Sequence, residues 1–98
     1  MILLTAYAQV KPGQAEEALE ACEVVRQASV QEPGCDRYDY YVSPRDENQI
    51  VFVEEWSNMA ALQSHFQQPA FQNFMGAIGD LLEGQAEIRI FEAEPVGA

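Results

Sequence analysis

Four stretches of the chain have the residue pattern of β-strands, in which β-branched and aromatic residues are frequent and successive side chains alternate. They run from Ile2 to Val10, from Cys35 to Val42, from Gln49 to Trp56 and from Gln85 to Glu92. In the first stretch both sets of alternating positions carry apolar residues, which indicates that both faces of this strand are at least partly covered. A polar loop, Ser43 to Asn48, predicts that the second and third strands form a hairpin.

The segments between these strands change to a helical period, in which apolar residues recur every three or four positions. The first helix begins near Gln14, and its acidic residues lie mainly outside the apolar stripe until Glu32-Pro33-Gly34 ends it. The second helical segment follows a cap at Ser57 or Asn58. Its apolar stripe consists of Met59, Leu62, Phe66, Phe71, Phe74, Met75 and Ile78.

Pro69 interrupts the second helical segment, and Gly84 ends it before the last strand. The resulting order is βαββαβ, which predicts an α+β protein of the ferredoxin-like class with a four-stranded antiparallel sheet. Both helices then lie on one face, and the other face needs cover from a second subunit. We therefore expect a single domain over residues 1–98 that forms a homodimer through its sheet, with a loosely ordered tail from about residue 93.

Charge and composition narrow the function classes. The net charge is −11 with only five lysines and arginines, which disfavours binding to nucleic acid or to an anionic membrane. No apolar run approaches the length of a membrane span, and Met1 to Leu4 is too short for a signal peptide, so a cytoplasmic protein is predicted. Cys22 and Cys35 fit no metal or redox spacing.

The same residue inventory argues against cofactors. The glycines are isolated and form no phosphate-binding loop, which argues against a nucleotide or flavin site. One histidine and no cysteine pair argue against zinc. We therefore predict that the protein uses no metal and no cofactor.

Several short motifs, taken in order, resemble the antibiotic biosynthesis monooxygenase (ABM) family over nearly the whole chain. The most specific combination is an E-x-W motif followed by A-L-x-x-H-x-x-x-P. Here these motifs read Glu54-Glu55-Trp56, then Ala61-Leu62-Gln63-Ser64-His65, then Pro69, preceded by Lys11-Pro12-Gly13 and by Glu32-Pro33-Gly34-Cys35 with Tyr38. Many relatives have a second histidine after the proline, whereas this chain has Ala70.

This resemblance implies a dimeric α+β barrel with a small-molecule pocket between the helices and the sheet of each subunit. Family members include cofactor-free quinol and anthrone-type monooxygenases, haem-degrading enzymes and an isomerase-like enzyme. The resemblance therefore determines the fold better than it determines the reaction. We expect a monooxygenase that oxidises a small, electron-rich aromatic compound, such as a hydroquinone or anthrone, with O2.

A reaction without cofactor needs a group that takes a proton from the substrate, because a deprotonated phenol or hydroquinone can pass an electron to oxygen directly. His65 is the predicted catalytic base, since its unperturbed pKa lies near neutrality. A histidine that is merely hydrogen-bonded at the end of a short helix is the competing interpretation.

Five further residues are candidates for substrate binding. Trp56 could stack on an aromatic ring, and Tyr7 and Tyr38 could orient a hydroxyl or carbonyl group. Phe74 could line the pocket, although a core position is the commoner role of such a residue. Glu54 shares strand parity with Trp56, so it points toward a covered region, where it either tunes His65 or forms an ion pair with Arg37 or Arg89.

Two other function classes remain open at this point. An isomerase or tautomerase acting on a small carbonyl compound would use His65 to move a proton without oxygen. A dimer that binds a small ligand without catalysis is the other. Haem degradation is less favoured, because it requires an axial ligand.

Overall fold

A computed structural model describes residues 1–97. Its elements, in chain order, are β1 (Ile2–Gln9), α1 (Ala15–Ser29), β2 (Cys35–Ser43), β3 (Asp46–Trp56), α2 (Met59–Phe66), α3 (Pro69–Gly79) and β4 (Glu87–Glu92). The strands form one antiparallel sheet in the order β2-β3-β1-β4. This is the predicted ferredoxin-like α+β topology, with the second helical segment divided into α2 and α3.

Local sequence signals explain where α2 and α3 begin. Asn58 caps α2, and its side-chain oxygen accepts a hydrogen bond of 2.9 Å from the backbone N–H of Ala61. The bond satisfies a donor that the first turn of a helix leaves without a partner. Pro69 lies in the first turn of α3, where its missing N–H costs no helical hydrogen bond.

The core lies between the helices and one face of the sheet. From α1, the stripe of Ala18, Cys22 and Val25 is at most 1% exposed. From α2, Leu62 is fully buried, and α3 contributes Ile78. Such burial of apolar surface is the main stabilising contribution in a domain of this size. Within residues 1–97, no helix is both long enough and apolar enough to cross a membrane.

The sheet has two unlike faces, because side chains alternate along each strand. The helix face packs against α1, α2 and α3, and its residues include Leu4, Ala6, Ile50, Phe52, Glu54, Trp56, Tyr38 and Ile88. The open face carries the alternate residues, which include Leu3, Thr5, Tyr7, Val51, Val53, Glu55, Arg37, Tyr41 and Phe91. On the open face Tyr7 is 44% exposed and Tyr41 is 51% exposed. The first strand is therefore covered on one face only in the single chain.

The boundaries of the hairpin and of β4 differ from the predicted ones. Ser43 pairs with Asp46, so the connection is much shorter than the predicted loop and β3 begins at Asp46. β3 can begin within this polar segment because the Asp46 carboxylate accepts hydrogen bonds from the side chain of Gln9 and from the backbone N–H of Asn48. β4 begins at Glu87 rather than Gln85.

The first residue of the predicted loose tail, Ala93, is held by hydrogen bonds to Met1. The backbone N–H of Ala93 donates to the carbonyl of Met1 at 2.8 Å, and the backbone nitrogen of Met1 donates to the carbonyl of Ala93 at 2.9 Å. From Glu94 to Gly97 the chain has no regular secondary structure.

Candidate functional site

An apolar cavity of about 450 Å³ lies between the helix face of the sheet and the helices. Leu4, Ala6, Ile50 and Phe52 line it from the sheet, and Phe71, Phe74, Met75 and Ile78 line it from α3. Ile88 of β4 also lines it and is 53% exposed, so the cavity reaches the surface beside β4. A cavity of this size suits a small organic ligand.

Few polar side chains contribute to the cavity. Among the described residues that line it, these are Cys22, Tyr38, Glu54 and Gln85, and Glu54 is the only carboxylic acid. Tyr38 and Glu54 lie opposite each other on β2 and β3, so the two groups share one end of the cavity. An apolar cavity with a few convergent polar groups is the usual form of a ligand site.

Glu54 is 5% exposed, and its Oε1 accepts a hydrogen bond of 3.0 Å from the indole Nε1–H of Trp56. Burial raises the pKa of Glu54 to about 7, because a carboxylate in this environment loses its hydration. The indole hydrogen bond acts in the opposite direction, and the nearby Glu32 carboxylate raises the pKa further. Glu54 therefore changes its charge near neutral pH.

The other titratable groups of the cavity stay protonated at neutral pH. Burial raises the pKa of the Cys22 thiol to about 12, which makes it a packing residue rather than a nucleophile. The pKa of the Tyr38 hydroxyl lies well above its ordinary value, first through burial and then through the neighbouring Glu54 carboxylate. Tyr38 can therefore act as a hydrogen-bond donor and not as a base.

His65 is 1% exposed and lies among four aromatic rings. The imidazole centroid is 4.7 Å from the Trp56 ring and 5.0 Å from the Phe71 ring. Its Nδ1 lies 2.8 Å from Oε1 of Glu32, whereas Nε2 is buried and has no hydrogen-bond partner among residues 1–97. Burial lowers the pKa of His65, although Glu32 acts in the opposite direction, so the neutral imidazole is favoured with its proton on Nδ1.

The contact between Glu32 and His65 depends on a close approach at Gly34. This glycine has a φ of +81°, and a Cβ added there would lie 2.6 Å from the Cβ of Ala61 on α2. The backbone N–H of Ser57 also donates to the carbonyl of Gly34 at 2.8 Å. The turn after α1 is thus held against the first turn of α2, which brings Glu32 to the imidazole.

The structure brings most of the predicted site residues together on the helix face. Tyr38, Glu54 and Phe74 line the cavity. Trp56 and His65 are buried directly behind this end and are not among the described residues that line it. Direct stacking of Trp56 on a ligand would therefore require a change of conformation, and the role of His65 as base stays a prediction.

Two expectations need correction. Tyr7 belongs to the open face, because it shares parity with Leu3, and it therefore cannot contact a ligand in this cavity of the same chain. The proposed ion pair of Glu54 with Arg37 or Arg89 is wrong. Arg37 bonds instead to Glu55 at 2.9 Å, and the guanidinium of Arg89 lies 5.0 Å from the centroid of the Phe91 ring.

Glu32 is the residue that the sequence did not reveal as a partner of His65. The two residues are separated by 33 positions, so no local spacing connects them. Glu32 is visible in the sequence only as part of the turn that ends α1. Its contact with the imidazole results from the packing of the turn after α1 against α2, which residue periodicity does not report.

Known proteins confirm the family that the motifs indicated. The family model for antibiotic biosynthesis monooxygenase matches residues 1–77. An uncharacterized protein of Synechocystis is 37% identical over 93% of this chain, and the chain spans 62% of that relative's length. YcnE of Bacillus subtilis, which is named as a candidate monooxygenase, is 34% identical over 90% of this chain and 93% of its own length.

Solved structures agree with this assignment. A structure of an antibiotic biosynthesis monooxygenase superposes with a TM-score of 0.91 at 27% identity and covers 97% of this chain and 100% of that one. The matched residues run from β1 into α3, and these elements contribute most of the cavity lining and the Glu54–Trp56 pair. The chain therefore belongs to the antibiotic biosynthesis monooxygenase family.

Proposed function

We propose that this protein is a cofactor-free monooxygenase that oxidises a small, electron-rich aromatic compound carrying a hydroxyl group. The observation that supports this proposal most directly is the apolar cavity lined by the carboxylic acid of Glu54, which ionises near neutral pH. The apolar walls suit an aromatic ring, and the carboxyl group suits a hydroxyl proton. YcnE, which is similar over most of the chain, is named for the same class of reaction.

The proposed reaction uses O2 as the oxidant and needs no external reductant. Removal of the hydroxyl proton leaves an electron-rich anion, which passes electrons to oxygen. One oxygen atom enters the substrate and the other leaves as water. For an anthrone, the ring CH2 becomes C=O and its two hydrogens end in the water, so the substrate supplies all the electrons.

Two groups are candidates for the proton transfer: Glu54, which lines one end of the cavity, and His65, which is buried behind that end. His65 is neutral with its proton on Nδ1, so Nε2 is the basic atom of the imidazole. Glu54 faces the cavity itself. Tyr38 lies beside both groups and can donate a hydrogen bond to the oxygen that becomes negative.

We further propose that two copies of the chain associate through their open faces. Tyr7, Tyr41 and Phe91 on this face are between 39% and 51% exposed, and Leu3, Val51 and Val53 between them are only half-buried. A sheet face with this apolar content is stabilised by burial against a second sheet. Analytical ultracentrifugation should give a dimer for the wild type and a monomer for Val53→Asp, and a monomeric wild type would contradict this assembly.

Oxygen uptake by purified, chelator-treated protein, measured with a panel of hydroquinones and anthrones, tests the proposed activity. Two glycines of α3 provide a matched pair of variants. Gly79 lines the cavity and Gly76 is not among the described residues that line it, and a Cβ has open space at both positions. We expect Gly79→Leu to reduce uptake at least tenfold and Gly76→Leu to leave it within about twofold of the wild type.

No uptake above background with any compound of the panel would contradict the monooxygenase proposal. An isomerase of a small carbonyl compound would then be the better hypothesis, because Glu54 with its pKa of about 7 is equally suited to moving a proton between two carbon atoms or oxygen atoms. Exchange of substrate protons with solvent deuterium under nitrogen would detect that activity.

A further inference from the structure

We infer that Glu54 accepts the proton of the substrate hydroxyl group, and that Trp56 is a positioning residue that holds the carboxyl group toward the cavity. This inference rests on the proposed function and assigns the proton transfer within it. It differs from the sequence prediction, in which His65 is the base.

The geometry of Glu54 supports this role. Its Oε1 accepts the hydrogen bond from Trp56, which leaves Oε2 available to a ligand in the cavity that Glu54 lines. Trp56 is fully buried, so the indole N–H has a fixed position and fixes the carboxyl group in turn. A general base must lie within hydrogen-bond reach of the proton that it removes, and among residues 1–97 Glu54 is the carboxylic acid that lines the cavity.

The geometry of His65 is unfavourable for direct proton removal. Its Nδ1 is engaged by Glu32, and its Nε2 is buried among residues 1–97. Tyr38, Phe66 and Phe71 line the cavity, and their ring centroids lie 5.0–5.8 Å from that of the imidazole. A substrate in the cavity thus meets these rings before it meets His65. The imidazole instead packs on the Trp56 ring and supports the indole that positions Glu54.

The proton transfer can be written with a complete balance. The O–H bond of the substrate breaks, its electron pair stays on the substrate oxygen, and the proton forms a new bond to Oε2 of Glu54. A neutral carboxylic acid then lies beside the substrate anion, which avoids two like charges in an apolar cavity. Release of the proton to solvent restores the carboxylate for the next reaction.

The groups that surround Glu54 do not compete for this proton at neutral pH. Tyr38 from β2, Cys22 from α1 and Cys35 at the start of β2 all have a raised pKa and stay protonated. Glu32, from the turn after α1, is engaged with Nδ1 of His65 from α2. Its charge raises the pKa of Glu54 and makes the carboxylate a better proton acceptor.

Binding of 2,4-dinitrophenol tests the assignment without turnover. This compound is an anion at neutral and alkaline pH and is too electron-poor to be oxidised by O2, so it mimics the substrate after proton transfer. If the anion lies beside Glu54, it binds only when Glu54 is protonated. In the weakly acidic range, where the probe is an anion and Glu54 is protonated, its Kd should therefore be constant, and it should rise about tenfold per pH unit above about pH 7, the pKa of Glu54.

Variants locate the proton that is linked to binding. Glu54→Gln should bind the anion with a Kd that no longer rises with pH, whereas Glu54→Asp should keep the dependence. Glu55→Gln is the matched control, since it changes the adjacent residue on the opposite face. Trp56→Phe removes the indole donor, which should raise the pKa of Glu54 and move the rise in Kd to higher pH.

The results have distinct meanings. A pH dependence that persists in Glu54→Gln would overturn the assignment. If the dependence is also lost in His65→Gln, His65 carries the linked proton instead. No binding of the anion by the wild type at any pH would also overturn it. Failure of the oxygen-uptake assay alongside the expected binding would instead reject the monooxygenase activity and retain Glu54 as the proton acceptor for a phenolic ligand.

Discussion

The two faces of the sheet place the same residue type in different environments, and Glu54 and Glu55 show this most clearly. Glu54 points into the helix face, where burial raises its pKa to about 7. Glu55 is the next residue along β3 and lies on the open face, where it is half-buried and forms an ion pair with the exposed Arg37. One step along a strand thus separates a group suited to proton transfer from a group at a surface.

The proposed chemistry and the proposed assembly therefore use different faces of the sheet. The helix face has cover from its own chain, which encloses a cavity and removes water from the carboxyl group within it. The open face keeps tyrosines at the surface, where a second sheet can cover them. Changes on one face should therefore leave the property of the other face largely intact.

The largest expected effect is the loss of a buried side chain from the helix face. Ile50 is 1% exposed, so Ile50→Ala should lower the free energy of unfolding by about 2–5 kcal/mol. Val51→Ala, at the adjacent half-buried position on the open face, should cost less than about 1.5 kcal/mol in dilute protein. Urea denaturation of both variants measures this difference, and equal losses would show that the two faces do not differ in burial.

The second effect is a pH dependence of stability that comes from Glu54. The pKa of Glu54 rises from 4.5 to about 7 on folding, so the folded state binds the extra proton and stability is lost as pH rises through this range. Glu54→Gln removes this loss. Relative to the wild type, the variant should therefore gain about 3 kcal/mol between about pH 4 and pH 8.

Denaturation curves at several pH values give this relative gain directly. Glu55→Gln changes a half-buried carboxyl group on the other face and should show no comparable trend. A parallel pH dependence in the wild type and in Glu54→Gln would mean that Glu54 ionises in the folded state as it does in the unfolded chain.

The third and smallest effect concerns the turn that carries Glu32. Gly34 and Gly13 have φ values of +81° and +83°, so an alanine at either position costs about 1–2 kcal/mol for the unfavourable backbone conformation. Only at Gly34 does the new Cβ meet another residue, Ala61, whereas nothing lies within 4 Å at Gly13. Gly34→Ala should therefore destabilise the protein by about 2 kcal/mol more than Gly13→Ala.

Thermal denaturation of the two alanine variants provides the comparison. The NMR signals of the His65 imidazole should also shift in Gly34→Ala, because the turn that holds Glu32 must move away from α2. They should be unchanged in Gly13→Ala. Equal destabilisation with unchanged imidazole signals would contradict the role of Gly34 as the close contact.

The order of the elements could be predicted from the sequence because each element carries its own period. The alternation in β3 also placed Glu54 and Trp56 on one covered face, which the structure confirms. The start of β3 could not be predicted from the sequence pattern, because it depends on the Asp46 side chain. This carboxylate accepts hydrogen bonds from Gln9 and from the backbone of Asn48, which stabilises a strand that begins in a polar segment. The period of apolar residues shows which side chains are buried, but it does not show such side-chain hydrogen bonds.

The candidate site was predictable only in part. Both faces of β1 carry apolar residues, so the alternation of side chains does not show which face the helices cover. Tyr7 was therefore expected at the cavity, although it lies on the open face. The partners of buried polar groups are set by distant contacts. The approach of Glu32 to His65, and the indole rather than an arginine as the partner of Glu54, both depend on how the elements pack.

The most direct test of the account is a crystal structure of the protein with a hydroquinone bound under nitrogen, where no oxidation can occur. We expect the ring between α3 and the helix face, with a hydroxyl oxygen within hydrogen-bond distance of Glu54 Oε2. A hydroquinone on the open face, or one in the cavity with its hydroxyl groups turned away from Glu54, would contradict the central claim that the helix face carries the chemistry.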